Sequence, residues 1–576
     1  MKILLERPVA ESVQHRLPDD IHPVLRRVYA ARNIREKDEL DNSLNRLYSP
    51  AALKGLAQAV DLLVAALQKQ ERILVVGDFD ADGATSSALM VAALRELGAE
   101  SVDYLVPNRF EFGYGLTPEI VKVAASKAPD LIITVDNGIS SLSGVAAARQ
   151  QGIRVLVTDH HLPGSELPRA DAIVNPNQPG DTFPSKNLAG VGVAFYLLMA
   201  LRGRLRDCGW FERGERKEPN LADYLDLVAL GTVADLVPLD HNNRVLVQQG
   251  LQRIRAGRCR PGIRALLEVA GRDASRLVTA DFGFAVAPRL NAAGRLDDMS
   301  LGIECLLSVN PAQAGRLAEQ LDTLNRERRE IETDMKTQAL DYVQQLHLDA
   351  DQLPVGLCLY NADWHQGVVG ILASRIKERF HRPVIAFAQS GPGELKGSAR
   401  SIPGLHIRDT LDAIAARHPE VLQKFGGHAM AAGLSLTESQ LPAFEGAFQA
   451  ELKQRLGEEA LTCVLESDGA LDAGEFSLEL AELLRSAGPW GQGFPEPLFD
   501  GFFTVVKQRV VGEHHLKLSV RPDGGRRVLD AIAFNQAAEH ELETGQRVRL
   551  AYRLDSNQYR GLLGLQLMVE MIQILK

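Results

Sequence analysis

Residues 72–89 read RILVVGDFDADGATSSAL. Arg72–Val76 is a short apolar run, followed by a polar loop in which Asp78, Asp80 and Asp82 alternate, and then by an Ala-rich helical stretch near Thr85–Leu97. The same pattern recurs downstream. Leu131–Val135 (LIITV) and Arg154–Thr158 (RVLVT) are further buried-strand candidates, with a helical stretch around Ser141–Gln150 between them. Strands that alternate with helices predict a parallel, doubly wound α/β sheet. In such sheets ligands sit beyond the carboxyl ends of the strands.

The chemistry-bearing residues fall at those ends. Asp78, Asp80 and Asp82 follow the first strand, Asp136 the second, and Asp159, His160 and His161 the third; Asp235 follows an apolar helix in GTVADLVPL. Alternating carboxylates repel one another unless a divalent cation neutralises them, and Gly77 and Gly83 let the loop turn tightly. A calcium EF-hand fails, because the twelfth position counted from Asp78 is Leu89. Taken one at a time, these residues read as helix caps, turn formers or surface histidines. Their joint occurrence favours a metal site. An oxygen-rich set with one or two imidazoles suits Mn²⁺ or Mg²⁺, whereas structural zinc would call for cysteines. Two such cations about 3.5–4 Å apart are the usual engine for phosphoester hydrolysis.

The rest of the chain divides by pattern. Residues 1–50 read as an N-terminal extension and 51–309 as the catalytic α/β domain. Asn310-Pro311 looks like a helix N-cap followed by proline. Beyond it Leu317, Leu321, Leu324, Ile331 and Met335 keep an apolar stripe, with Arg326, Glu327, Arg328, Arg329 and Glu330 on the other face. Unbroken, this connector over 310–348 holds a helix of about 35 residues, ~50 Å long; a hairpin broken near Asn325 is the alternative. A second α/β domain follows over 349–460, with strands at Val355–Tyr360 and Val384–Ala388 and a helix at Gly370–Phe380. Residues 461–576 are β-rich: Phe502–Val511, His515–Val520, Val528–Phe534, Arg547–Leu554 and Leu562–Ile574, with a turn at Pro522-Asp523-Gly524-Gly525. Five short strands fit an OB-like barrel, and a β-sandwich fits almost as well.

Composition sets outer bounds. The chain has 576 residues, 45% hydrophobic and 24% charged, an ordinary globular balance with room for several cores. A net charge of −10 excludes a bulk-basic nucleic-acid binder but not a local basic groove. Cys208, Cys259, Cys305, Cys358 and Cys463 are widely spaced and form no CxxC pair, which suits a reducing cytoplasm. No stretch approaches the ~20 apolar residues of a membrane span. The start, MKILLERPVAES, has neither the apolar core nor the cleavage site of a signal peptide.

Asp159-His160-His161, with GDFDADG upstream and Asp136 between, resembles the DHH phosphoesterase family. Trp364-His365-Gln366-Gly367, Gly397-Ser398-Ala399-Arg400 and Gly426-Gly427-His428 look like its DHH-associated domain, and Ala287–Arg295 (APRLNAAGR) is similar to a segment of its bacterial exonuclease branch. The resemblance implies a 5′-to-3′ exonuclease specific for single-stranded DNA, releasing mononucleotides in repair and recombination. It implies two Mn²⁺ or Mg²⁺ ions. Asp80 and Asp136 would hold one, with Asp78 nearby; Asp82, Asp136, His160 and Asp235 would hold the other. His161 would contact the scissile phosphate, joining Asp136 and Asp159 in the catalytic set. Substrate would meet Arg109, Arg289, Asn291, Arg295, His365, Ser398, Arg400, Gly426, Gly427 and His428. Paired glycines admit an anion to the backbone, and Arg offers a planar fork to phosphate oxygens; for His365 a capping role weighs equally. Partners implied are a single-strand DNA-binding protein and a helicase. In the C-terminal domain Phe502, Phe503, Phe534, Tyr552 and Tyr559 lie among Lys507, Arg509, Lys517, Arg526, Arg527 and Arg560, which suits a single-strand groove, although core aromatics fit too.

Two other classes remain open. A shorter-substrate DHH phosphodiesterase or pyrophosphatase would lack the added β-domain, and a non-catalytic DNA-binding scaffold would have lost metal ligands that are all present here.

Overall fold

The computed structural model describes all residues except 1, 9–16, 109–114, 214–215, 346–352, 423, 428, 539, 560–561 and 576. Arg109, His428 and Arg560 therefore lie outside the described residues, as does the side chain of Tyr559. The chain forms two compact units. The larger comprises Leu4–Gly294, Asp298–Glu319 and Leu465–Lys576; the smaller comprises Met1–Ile3, Arg295–Asp297 and Gln320–Val464. The N-terminal segment, the catalytic sheet and the C-terminal β-rich region thus share one unit.

In the larger unit β1 (Ile73–Gly77) leads into α1 (Ala81–Glu96), then β2 (Val102–Leu105), β3 (Leu131–Val135), β4 (Arg154–Thr158) and β5 (Ala172–Val174). The sheet order is β2-β1-β3-β4-β5, parallel throughout. β1 and β3 are buried along their whole length, as strands covered on both faces must be, which is why they read as unbroken apolar runs. The order reverses direction between β1 and β3, the crevice where doubly wound sheets bind ligands. Two helices cover the site side, α2 (Gly190–Asp207) and α3 (Leu225–Ala234); α4 (Ala287–Leu296) follows further along the chain. One boundary differs from expectation: α1 begins at Ala81, not near Thr85. Asp80 caps it, which moves Asp82 into the first helical turn.

α5 runs unbroken from Pro311 to Gln345, with the Asn310 carboxamide accepting from Ala312 N at 2.9 Å. No hairpin forms at Asn325. That side chain is buried and accepts from Arg328 Nη2 at 2.8 Å, and Arg328 pairs with Glu332 one turn on. Arg328, assigned to the polar face by pattern, is therefore buried as well. A buried polar network of Asn325, Arg328 and Glu332, not a chain break, occupies the middle of the stripe.

The smaller unit holds β6 (Leu357–Tyr360), α6 (Val369–Phe380), β7 (Val384–Gly391), β8 (Glu394–Arg400), β9 (Lys424–Gly427) and β10 (Ala431–Thr437). Its sheet order is β9-β10-β8-β7-β6, with only β6 and β7 parallel. Gly426 and Gly427 thus belong to a strand.

The C-terminal strands β11 (Phe499–Val511), β12 (His515–Pro522), β13 (Leu529–Ala533), β14 (Arg547–Tyr559) and β15 (Leu562–Ile574) close into a barrel of order β11-β12-β13-β15-β14. Closure removes the free edges a sandwich would leave. Phe503 and Tyr552 are barrel core, while Phe502 and Phe534 are about half exposed.

Candidate metal centre

The three motifs at the strand ends converge. Asp78 follows β1 and is 4% exposed; Asp136 follows β3 and is 2% exposed. Asp136 adopts φ +62°, a left-handed conformation that Asp tolerates better than most residues. Asp80 caps α1, its Oδ1 accepting from Asp82 N at 2.9 Å and Gly83 N at 3.0 Å. Asp82 meets the start of α2 and accepts from Gly190 N at 2.6 Å and Val191 N at 3.0 Å, so a helix N-terminus faces a buried anion. Asp235 is the C-cap of α3.

Potential ligand atoms fall into three groups, each within 4.8 Å: Asp78 with Asp80 and Asp136; Asp82 with His160 and Asp235; and Asp136 with His160 and His161. His160 Nε2 lies 3.1 Å from Asp136 Oδ1 and 3.4 Å from Asp235 Oδ2. His160 Nε2 and Asp235 Oδ2 are buried yet make no hydrogen bond, an arrangement that costs free energy unless a cation completes it. The donor set of carboxylates and imidazole matches Mn²⁺ or Mg²⁺.

The electrostatics agree. Burial, then neighbouring Asp235, pushes Asp82 up to about 7; burial, then Asp80, pushes Asp235 up to about 8. Burial and Asp82 hold Asp136 well above the carboxylate range. Burial, then His161, lowers His160. Burial opposes the charges of Asp159 and His161, but their mutual attraction wins: Asp159 is drawn down to about 2 and His161 raised to about 9.

Asp159, 1% exposed, is held on both oxygens. Its Oδ1 meets His161 Nδ1 at 2.7 Å and accepts from His160 N at 2.7 Å and His161 N at 3.1 Å, while Oδ2 accepts from Ile139 N at 2.9 Å. Oδ1 thus holds the His pair, and Oδ2 ties it to the loop after β3. Sequence reasoning missed its helpers. Asn175 donates to His161 O at 2.9 Å and Asn177 to His160 O at 2.6 Å; Asn-Pro-Asn after β5 was the available signal. It also missed Gly190. A Cβ there would come within 2.6 Å of the Asp136 Cβ, so only glycine lets α2 approach.

Asn291 was expected to meet substrate. Its Oδ1 accepts from Ala81 N at 2.8 Å, and Gly294 sits so close to the Phe79 carbonyl that a Cβ would be 1.8 Å from its oxygen. Two residues of α4 thus clamp the Asp78–Asp82 loop. Arg289 is buried and donates to Ala285 O at 2.5 Å. Arg295 falls in the smaller unit.

The smaller unit gathers a separate polar group. Arg400 donates to Ser398 Oγ at 3.0 Å and Ser374 Oγ at 3.2 Å. A Cβ at Gly370 would lie 2.8 Å from Arg400 Nη2, which places the guanidinium against the first turn of α6. His365 Nδ1 accepts from Gly367 N at 3.1 Å, a local cap. Gly427 takes φ +143° in β9.

Residues 72–232 match the DHH family, N-terminal domain, residues 354–454 the DHHA1 domain, and residues 467–571 the RecJ OB domain. The single-stranded-DNA-specific exonuclease RecJ of Dickeya dadantii is 58% identical over 98% of this chain and 98% of its own. RecJ of Thermus thermophilus in complex with Mn²⁺ superimposes with a TM-score of 0.80 at 32% identity, covering 99% of this chain and 79% of that one. The same protein with Mg²⁺ gives a TM-score of 0.75 at 30% identity, over 99% of this chain and 78% of that one. With relatives this similar along its whole length, and with the three domains in order, the chain belongs to the RecJ family of single-stranded-DNA-specific exonucleases.

Proposed function

We propose that this chain hydrolyses single-stranded DNA from the 5′ end, releasing mononucleotides, in DNA repair and recombination. The carrying observation is a pair of ligand groups that share Asp136, one with Asp78 and Asp80 and the other with His160 and His161, while His160 also groups with Asp82 and Asp235. Two Mn²⁺ or Mg²⁺ ions held by these residues would supply positive charge for in-line displacement at phosphorus and would acidify an attacking water. Asp136 spans both groups. Asp82 is fixed by the backbone of α2, so its carboxylate does not reorganise. Asp159 holds the His161 ring through Nδ1, which leaves the ring positioned beside Asp136 to meet the scissile phosphate. In the smaller unit Arg400, Ser398, Ser374 and the glycines of β9 offer phosphate-binding chemistry.

Among the described residues no single helix is long and apolar enough to cross a membrane. We place the enzyme in the cytoplasm, beside a helicase that delivers the strand and a single-strand DNA-binding protein that keeps it open; these partners follow from the family resemblance and the substrate's chemistry. Digestion of a long strand labelled at either end, with Mn²⁺, Mg²⁺ or EDTA, tests the reading. Metal-dependent release from the 5′ end is expected. Release from the 3′ end would refute the polarity, and turnover of dinucleotides alone would move the chain to another DHH branch.

Asn291 acts through the loop it clamps. Asn291→Ala is expected to weaken Mn²⁺ affinity about 10- to 100-fold, the usual effect of losing a group that orients ligands. Raising Mn²⁺ should restore most of kcat. A KM for DNA that rises while metal affinity is unchanged would return Asn291 to substrate binding.

A further inference from the structure

The larger unit contains a cavity of about 870 Å³ outside the metal centre. Its lining includes Thr232, Val233 and Leu236 at the end of α3 and Phe534, Leu563 and Met568 from the C-terminal β-rich region. The first three flank Asp235, the C-cap of α3, in the chain.

Two side chains in its wall are unusual for a folded surface. Phe284 is 76% exposed, although Phe282, Ala285 and Val286 around it are buried. It sits on a single π-helical turn, Phe282–Val286, and such turns gather at functional sites. Leu236 is 70% exposed with φ +60°, a strained conformation for a branched aliphatic residue. Both line the cavity.

The charges are already satisfied. The four lining arginines are ion-paired: Arg272 with Asp281 at 3.4 Å, Arg276 with Glu482 at 2.7 Å, Arg485 with Asp555 at 3.5 Å and Arg553 with Glu496 at 2.8 Å. A phosphate track would keep cations available. Beside these paired charges the cavity offers the aromatic and aliphatic surface of Phe284, Phe534, Leu236, Leu563 and Met568, the complement of nucleobase faces.

We propose that Phe284 stacks on a nucleobase of the substrate strand, with Leu236 supporting the adjoining base face, so that the cavity holds bases while phosphates face solvent. This rests on the nuclease reading above. Continuity with the Asp235 end of α3 and with an OB-type barrel favours a nucleic-acid strand as the occupant. Stacking of this kind tolerates every base, because each has a π-face.

The test uses the full chain in EDTA, so that binding is read without cleavage. Anisotropy is measured with a labelled single strand of about 16 nucleotides and with the same strand carrying base-free sugars at its centre. Phe284→Ala is expected to weaken the intact strand about 5- to 50-fold, the range for one lost base stack, and to leave the base-free strand as it was. Phe284→Trp should restore binding, and the factor should persist at high salt, because no charge is removed. If Phe284→Ala binds the intact strand like wild type, or loses both strands alike, the proposal is overturned and the cavity passes to a peptide. Hydrolysis with Mn²⁺ is run in parallel. Base-dependent binding without cleavage would refute the nuclease reading and leave the stacking role standing.

Discussion

Asp136→Asn is expected to lower kcat by at least about 10³-fold, with the protein fully folded. The size follows from the chemistry: metal charge contributes several kcal/mol to a phosphoester transition state, and each 1.36 kcal/mol is tenfold. Asp136 is the carboxylate common to the Asp78–Asp80 group and the His160–His161 group, so neutralising it weakens both. Asparagine suits the test. It keeps the shape next to Gly190, where a Cβ would already be 2.7 Å from Asp136 Oδ1, and it accepts the left-handed backbone at φ +62°. Removing a buried carboxyl whose ionisation burial and its acidic neighbours oppose should also raise the melting temperature of the metal-free protein. Activity and stability then move in opposite directions, as they do where a site holds strain for function. Single-turnover kinetics and thermal melts in EDTA check both. Near-normal turnover would remove Asp136 from the centre of the mechanism.

The metal-free protein is expected to become less stable as pH rises from 6.5 to 8.5, and Mn²⁺ should reverse the trend. Asp82 and Asp235 titrate near 7 and 8 when folded, against the ordinary carboxylate value of about 3.9. Across this window the native state holds protons that the unfolded chain has already released. Stability therefore falls as pH rises through the folded values. His160 is lowered from 6.5, so its linkage acts at and below the acid end of the window and does not mask the trend. Mn²⁺ takes the place of those protons. Its affinity should rise with pH, and saturation at a thousand times Kd adds about 4 kcal/mol, several degrees of melting temperature for a unit this large. Calorimetry in two buffers of different ionisation enthalpy would count the protons expelled. A metal-free melting temperature that is flat or rising over the window would mean that the carboxylates are ionised without metal.

Much of the catalytic half was legible because its signals are local. β3 and β4 occur where LIITV and RVLVT stand, since strands buried on both faces have to be continuously apolar. A parallel sheet aims its strand ends one way, so Asp78, Asp136 and His160 had to share an edge. The OB-like reading of the last five strands became a closed barrel because strand lengths and turns are set by nearby residues.

Other assignments were decided by contacts distant in sequence. Asn325 looked like a place for a helix to break; Arg328 and Glu332 bury it inside an unbroken helix. Asp159 carries the family's signature yet spends both oxygens on backbone and His161, which no spacing rule reveals. Asn291, read as a substrate contact, reaches Ala81 across 210 residues of sequence. The exposure of Phe284 is equally unreadable, because a phenylalanine in an apolar segment is normally core. By itself the sequence determined which elements form, where they point and that acidic and imidazole groups meet at one sheet edge, because periodicity and strand direction act over a few residues. Only the tertiary structure decided which of those groups face the metal centre and which hold their neighbours in place, because each carboxylate's role depends on the N–H groups and charges that folding brings to it.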